Sequence, residues 1–129
     1  MNNEQKEYIK QWLQKARDDF DAYRVIANSE TPLKAIAGFH LQQSSEKYLK
    51  AFLEYHEIKF ARTHDIEYLL KLCARISPGF DSLTAGKLTD FAVDLRYPGF
   101  MHEPTEVELE EALEAALQIQ TLVLSLIVL

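Results

Sequence analysis

Several things are scarce in this chain of 129 residues, and each scarcity excludes something. With one cysteine, Cys73, no intramolecular disulfide can form, which fits a reducing compartment. Basic residues are outnumbered 14 to 20, giving a net charge of -6. That balance argues against a protein that coats nucleic acid, because non-specific binders need clustered cations to displace counterions. It leaves room only for a local basic patch. Long apolar runs are also missing. The polar start, Met1-Asn2-Asn3-Glu4-Gln5-Lys6-Glu7, lacks the apolar core of a signal peptide. The apolar end, Thr121 to Leu129, is far too short to span a bilayer. The expectation is a cytoplasmic chain without membrane contact.

What is present is ordinary for a globular protein: 47% hydrophobic and 26% charged, enough for one domain over residues 1–129 with a real core. No stretch alternates with period two for long enough to form a strand. Apolar residues instead recur at three- and four-residue steps, which predicts an all-α, up-and-down bundle of about five helices.

The first helix is expected from about Glu4 to Ala27, with Ile9, Trp12, Ala16, Phe20 and Tyr23 on its seam. Thr31 and Pro32 are suited to open the second, as cap and first helical residue. Its seam is Leu33, Ala37, Leu41, Ser44, Tyr48, Ala51 and Tyr55, with Ser44 as the polar exception. A short third helix opens at Thr63-His64-Asp65 and ends at Ser77-Pro78-Gly79. A fourth carries Leu88, Phe91, Ala92 and Leu95 and must stop near Tyr97, because Pro98 disfavours helical geometry before it. Thr105 with Glu108 forms a capping box for the last helix. That helix repeats Leu109, Ala112, Ala116, Ile119, Val123 and Leu126. It has further apolar residues at Leu113, Leu117, Leu122, Leu124 and Ile127, and a helix apolar on more than one side needs more than one partner surface. A homodimer is the simplest expectation; a central buried helix in a monomer is the alternative.

Polar residues with chemical potential fall in a few places. His40, Gln43, Lys47, Lys50 and Glu54 share one face of the second helix. They read either as a solvated face or as a binding face for a base edge or phosphate. Glu46 and Lys50 are ordered for an exposed i,i+4 pair, worth a few tenths of a kcal/mol. Asp18 and Asp19 diverge by roughly 100 degrees on their helix, so a shared metal is disfavoured and a salt bridge from Asp19 to a basic residue is favoured. The four histidines and Cys73 show no metal-ligand spacing, and neither a metal nor a cofactor is expected. His64 sits in a helix's first turn, where a structural reading and an anion-binding one both apply. Arg96 and His102, with five residues between them, form the sharpest pair. An arginine can hold a phosphodiester bidentately, and a histidine can move the proton of a ribose 2'-hydroxyl. An arginine complementing a helix end and a histidine near a turn is the plain alternative.

Taken in order, these segments resemble a known family. Ala37 through Ala51, with Phe39-His40-Leu41-Gln42-Gln43-Ser44-Ser45-Glu46-Lys47-Tyr48-Leu49-Lys50 inside it, is similar to the signature helix of the HEPN domain. Trp12 through Phe20 resembles its opening, and Thr63-His64-Asp65-Ile66 and Arg96-Tyr97-Pro98-Gly99 its later landmarks. The likeness is collinear over roughly residues 8–125. It implies a dimerising helical bundle, commonly paired with a minimal nucleotidyltransferase in prokaryotic toxin–antitoxin-like systems, and binding of a nucleotide or RNA. The candidate binding residues are His40, Gln43, Lys47, Lys50, His64 and Tyr97. Many toxin members are metal-independent ribonucleases that use an arginine and a histidine separated by four to six residues, which implies Arg96 and His102 as a catalytic pair. The residue after the arginine is usually polar in that motif, and here it is Tyr97, as in the branch that often lacks the histidine. Three readings follow: a nucleotide- or RNA-binding partner of a nucleotidyltransferase-like protein, a ribonuclease toxin, and a ligand-free interaction module.

Overall fold

A computed structural model describes residues 1–91 and 103–129. Arg96, Tyr97 and His102 lie outside the described residues, as does the expected end of the fourth helix near Tyr97. Everything regular in the described residues is helical. Helix α1 (Asn3–Ala27) is opened by a capping box, Asn2 accepting from the Gln5 amide while the Gln5 side chain accepts from the Asn2 amide. Helix α2 (Lys34–Tyr55) starts later than Thr31-Pro32 suggest: Leu33 is the cap, with no side-chain hydrogen bond. The Ala37 amide donates to the Leu33 carbonyl at 2.9 Å, which closes the first turn there. Helix α3 (Ile66–Ala74) is capped by Asp65, which accepts from the Tyr68 amide. Ser77-Pro78-Gly79 does more than end α3. It starts a 3-10 turn, Pro78–Ser82, that buries Phe80 against Phe52. Residues 88–91 are helical, and α4 (Glu106–Leu126) opens with the expected Thr105–Glu108 capping box.

Helix α2 is central. It packs against α1, α3 and α4, while α1 and α4 barely meet one another. Burial all round is what such a helix requires, and Ala37, Gly38, Leu41, Ser45, Leu49, Phe52 and Leu53 are all buried. A hydrogen bond from Gln5 to Glu57 sets the start of α1 beside the end of α2, so these two run antiparallel. Tyr55 donates to the carbonyl of Val128, so α4 runs along α2 in the same sense. Small residues allow the close approach. Ser44, the polar exception in the α2 seam, donates to the Ala16 carbonyl at 2.8 Å, and Ala16 is fully buried. Gly38 is required by Phe91, whose ring atoms would lie 2.2 Å from an added Cβ.

The apolar surplus of α4 is largely absorbed within the chain. Leu113, Leu122 and Ile127 pack on the core cluster, with Leu122 set against Gly79 of the 3-10 turn. Among the large apolar residues expected to drive association, Leu117 and Leu124 remain well exposed. The case for a dimer through α4 therefore rests on these two. No helix among the described residues is long and apolar enough to cross a membrane.

Candidate functional site

The polar face of α2 resolves into two ionic clusters, one on each flank. On the α1 side, Asp19 takes two cationic or hydrogen-bonding partners. Its carboxylate accepts from the Lys47 ammonium and lies 2.9 Å from His40 Nδ1. Asp19 thus makes the salt bridge expected of it, while Asp18 accepts from Gln14 along the helix. Lys47 and His40 keep about a quarter of their side chains accessible, 24% and 27%.

The other flank is drier. Glu46 is buried and takes three side chains as partners. Lys50 donates to it at 3.1 Å, Gln42 at 3.2 Å, and His64 Nδ1 lies 2.7 Å away. Lys50 also donates to the Thr63 carbonyl, and Gln42 to the His64 carbonyl. The Lys50 ammonium lies 5.7 Å from the centre of the Phe60 ring. This network fastens the connector before α3 to the middle of α2. The Glu46–Lys50 pair forms as the spacing suggests, but it is buried and not exposed, since the connector folds over it. Its consequences are accordingly larger than a surface pair's, because a buried charge that loses its partner is expensive.

Gln43 sits between the clusters. Its side-chain nitrogen donates to the side-chain oxygen Oε1 of Gln42 at 2.7 Å, and it is half-buried. Gln42 is fully buried and so belongs to the interior. The sequence signal for this was available: Gln42, Glu46 and Lys50 are spaced at four-residue steps, a line that packing can cover as easily as solvent can.

Both histidines are held the same way, by a carboxylate at Nδ1. A carboxylate accepts, so Nδ1 carries the hydrogen and Nε2 is the ring nitrogen left for another partner. His64 keeps 44% of its side chain exposed, enough to present that edge to a ligand. A histidine oriented by a carboxylate is the arrangement general-base chemistry uses. Lys50, by contrast, is turned inward with both acceptors supplied by the protein. Among the described residues no three His, Cys, Asp or Glu side chains gather as a metal site. Cys73 is buried under α2, and burial pushes its thiol from 9.0 up to about 12, which makes it inert as a nucleophile.

A family model, that of the HEPN domain, matches residues 9–126, nearly the whole chain. The chain belongs to the HEPN domain family. No curated protein and no solved structure matches it. In this HEPN domain the signature helix is α2, and its polar residues organise the two clusters just described. The arginine–histidine pair that the family likeness brings forward, Arg96 and His102, falls outside the described residues, together with Tyr97.

Proposed function

We propose that this HEPN domain binds a nucleotide or a short stretch of RNA on the polar face of α2, acting as the partner of a nucleotidyltransferase-like protein. The observation that carries the reading is the pair of carboxylate-anchored histidines, His40 and His64, flanking Gln43 with their outer edges accessible. Anchoring removes rotational freedom before a ligand arrives, so less ordering entropy is lost on binding. Gln43 offers an amide for a base edge, and Lys47, partly exposed beside Asp19, offers charge for a phosphate. Lys50 contributes indirectly, by holding the connector that carries His64.

Calorimetry with ATP, AMP and a short single-stranded RNA tests this reading. Heat of binding that Gln43→Ala and Lys47→Ala both weaken supports it. Absence of binding to all three sinks it and leaves an interaction module.

The spacing of Arg96 and His102 favours a second reading, a metal-independent endoribonuclease of a toxin–antitoxin-like pair. RNA incubated with the protein in EDTA should then be cleaved, and His102→Ala should abolish the cleavage. Cleavage that survives His102→Ala removes that assignment.

A further inference from the structure

Away from the polar face of α2 lies a trough that neither reading uses. Helices α1 and α4 both rest on α2 and barely meet each other, and the space between them is an open groove of about 570 Å³ with Tyr48 at its base. One wall belongs to α1. Lys10, Arg17 and Arg24 stand on it at seven-residue intervals, with Leu13 and Phe20, also seven apart, lying lower. The opposite wall belongs to α4, where Gln120 and Leu124 line the groove.

Three properties of this trough define what would fill it. Its α1 wall has a cationic excess, Lys10, Arg17 and Arg24 against Asp21, on a chain whose net charge is -6. Arg24 is paired with Asp21 and Lys10 with Glu7, both at exposed sites, whereas among the described residues Arg17 has no ion-pair partner. The α4 wall is different: Leu124 is 47% exposed, and the carbonyl oxygen of the Gln120 side chain is buried with no donor among the described residues. The cationic stripe on α1 has a heptad period, so it follows the slow left-handed path that suits a helix crossing at about 20°. From Lys10 to Arg24 the stripe is about 21 Å long at 1.5 Å per residue, some four helical turns.

We propose that the α1/α4 groove is the docking site for an amphipathic helix of a partner protein, apolar at heptad positions and acidic along the one flank that faces α1. The asymmetry of the walls selects this occupant. A nucleic acid strand presents phosphates along its length and would meet cations on one wall only, with the uncharged Gln120 and Leu124 opposite. A second copy of this chain, related by a two-fold axis through the groove, would bring the stripe of Lys10, Arg17 and Arg24 against its own image. An acidic, leucine-bearing helix satisfies both walls at once.

The test uses the full chain and two synthetic 21-residue helices with the same leucine heptads, one with glutamate along the flank and one with lysine in its place. Fluorescence anisotropy should show the glutamate peptide binding at least about tenfold more tightly than its lysine twin, a difference that fades as salt is raised. Arg17→Glu should reverse the preference, and Leu124→Ser should weaken the glutamate peptide's binding. Circular dichroism melts confirm that these exposed substitutions leave the fold intact. Equal affinity for the two peptides, or no binding of either, overturns the proposal. So does an RNA oligonucleotide that displaces the glutamate peptide in an Arg17-dependent way. Sedimentation of the wild-type chain as a dimer that Arg17→Glu dissociates overturns it too, because the groove would then be filled by a second copy.

Discussion

The polar face of α2 and the groove between α1 and α4 both carry several charges, yet they treat them in opposite ways. At the polar face of α2, Asp19 of α1 reaches across to Lys47 and His40, and Glu46 collects Lys50 and Gln42 from its own helix and His64 from the connector. In the groove, acidic partners come from the same helix one turn away, and Arg17 has none among the described residues. Charges that join segments hold a fold together; charges strung along one helix face at a regular interval wait for something outside it. The difference also separates residues whose loss should unfold the protein from those whose loss should cost it only a partner.

The largest effect is expected at the driest point. Glu46→Ala leaves the Lys50 ammonium buried without its carboxylate, and urea unfolding should register a loss of about 3–5 kcal/mol. The double variant Glu46→Leu with Lys50→Met should recover part of that loss, since no buried ammonium is left without its carboxylate, while Gln42 and the Thr63 carbonyl still lose a partner. If Glu46→Ala is no worse than a surface substitution, the two regions are not distinct after all.

Gly38→Ala comes next. An added methyl would meet the Phe91 ring, and the overpacking should lower stability by about 1–3 kcal/mol in the same measurement. Asp19→Ala removes a partly exposed carboxylate and should cost less than Glu46→Ala, about 1–2 kcal/mol, with a visible dependence on salt.

A pH series sharpens the contrast between interior and surface. The raised Cys73 thiol stays protonated in the fold while the unfolded chain's thiol ionises from 9.0 upward. The unfolded state then binds fewer protons than the native one, so stability falls as pH rises from about 9 towards 12, by on the order of 1 kcal/mol at pH 10. Tyr23 and Tyr48, also raised by burial, push in the same direction above pH 10. Cys73→Ala should flatten the first part of the decline, and iodoacetamide should label Cys73 only in denaturant. The smallest effect belongs to the groove: Arg17→Ala should change stability by no more than about 0.5 kcal/mol. A large loss there would mean the stripe is structural.

Much of the framework was legible beforehand. The boundaries of α1 and the capping box of α4 follow from local signals, and the same signature stood unread at Asn2 and Gln5. The Asp19 salt bridge followed from its place beside the α1 seam. Harder to read was the region from His56 to Asp65, because an extended connector has no period to reveal where it lies. That connector converts the Glu46–Lys50 pair from a surface feature into a buried one. Phe80 was missed for a related reason: a proline and a glycine mark a break, and the turn beyond them carries only one large apolar residue.

Periodicity and capping chemistry, both local along the chain, are enough to specify helices, their apolar faces and membership of the HEPN family. Which charges are paired, which face is covered, and where two helices stand apart depend on segments that are remote in sequence. Charge pairing changes in worth with burial, and burial is a property of the assembled bundle. The folded arrangement alone therefore decided that Lys50 belongs to the interior and that Arg17 faces a groove.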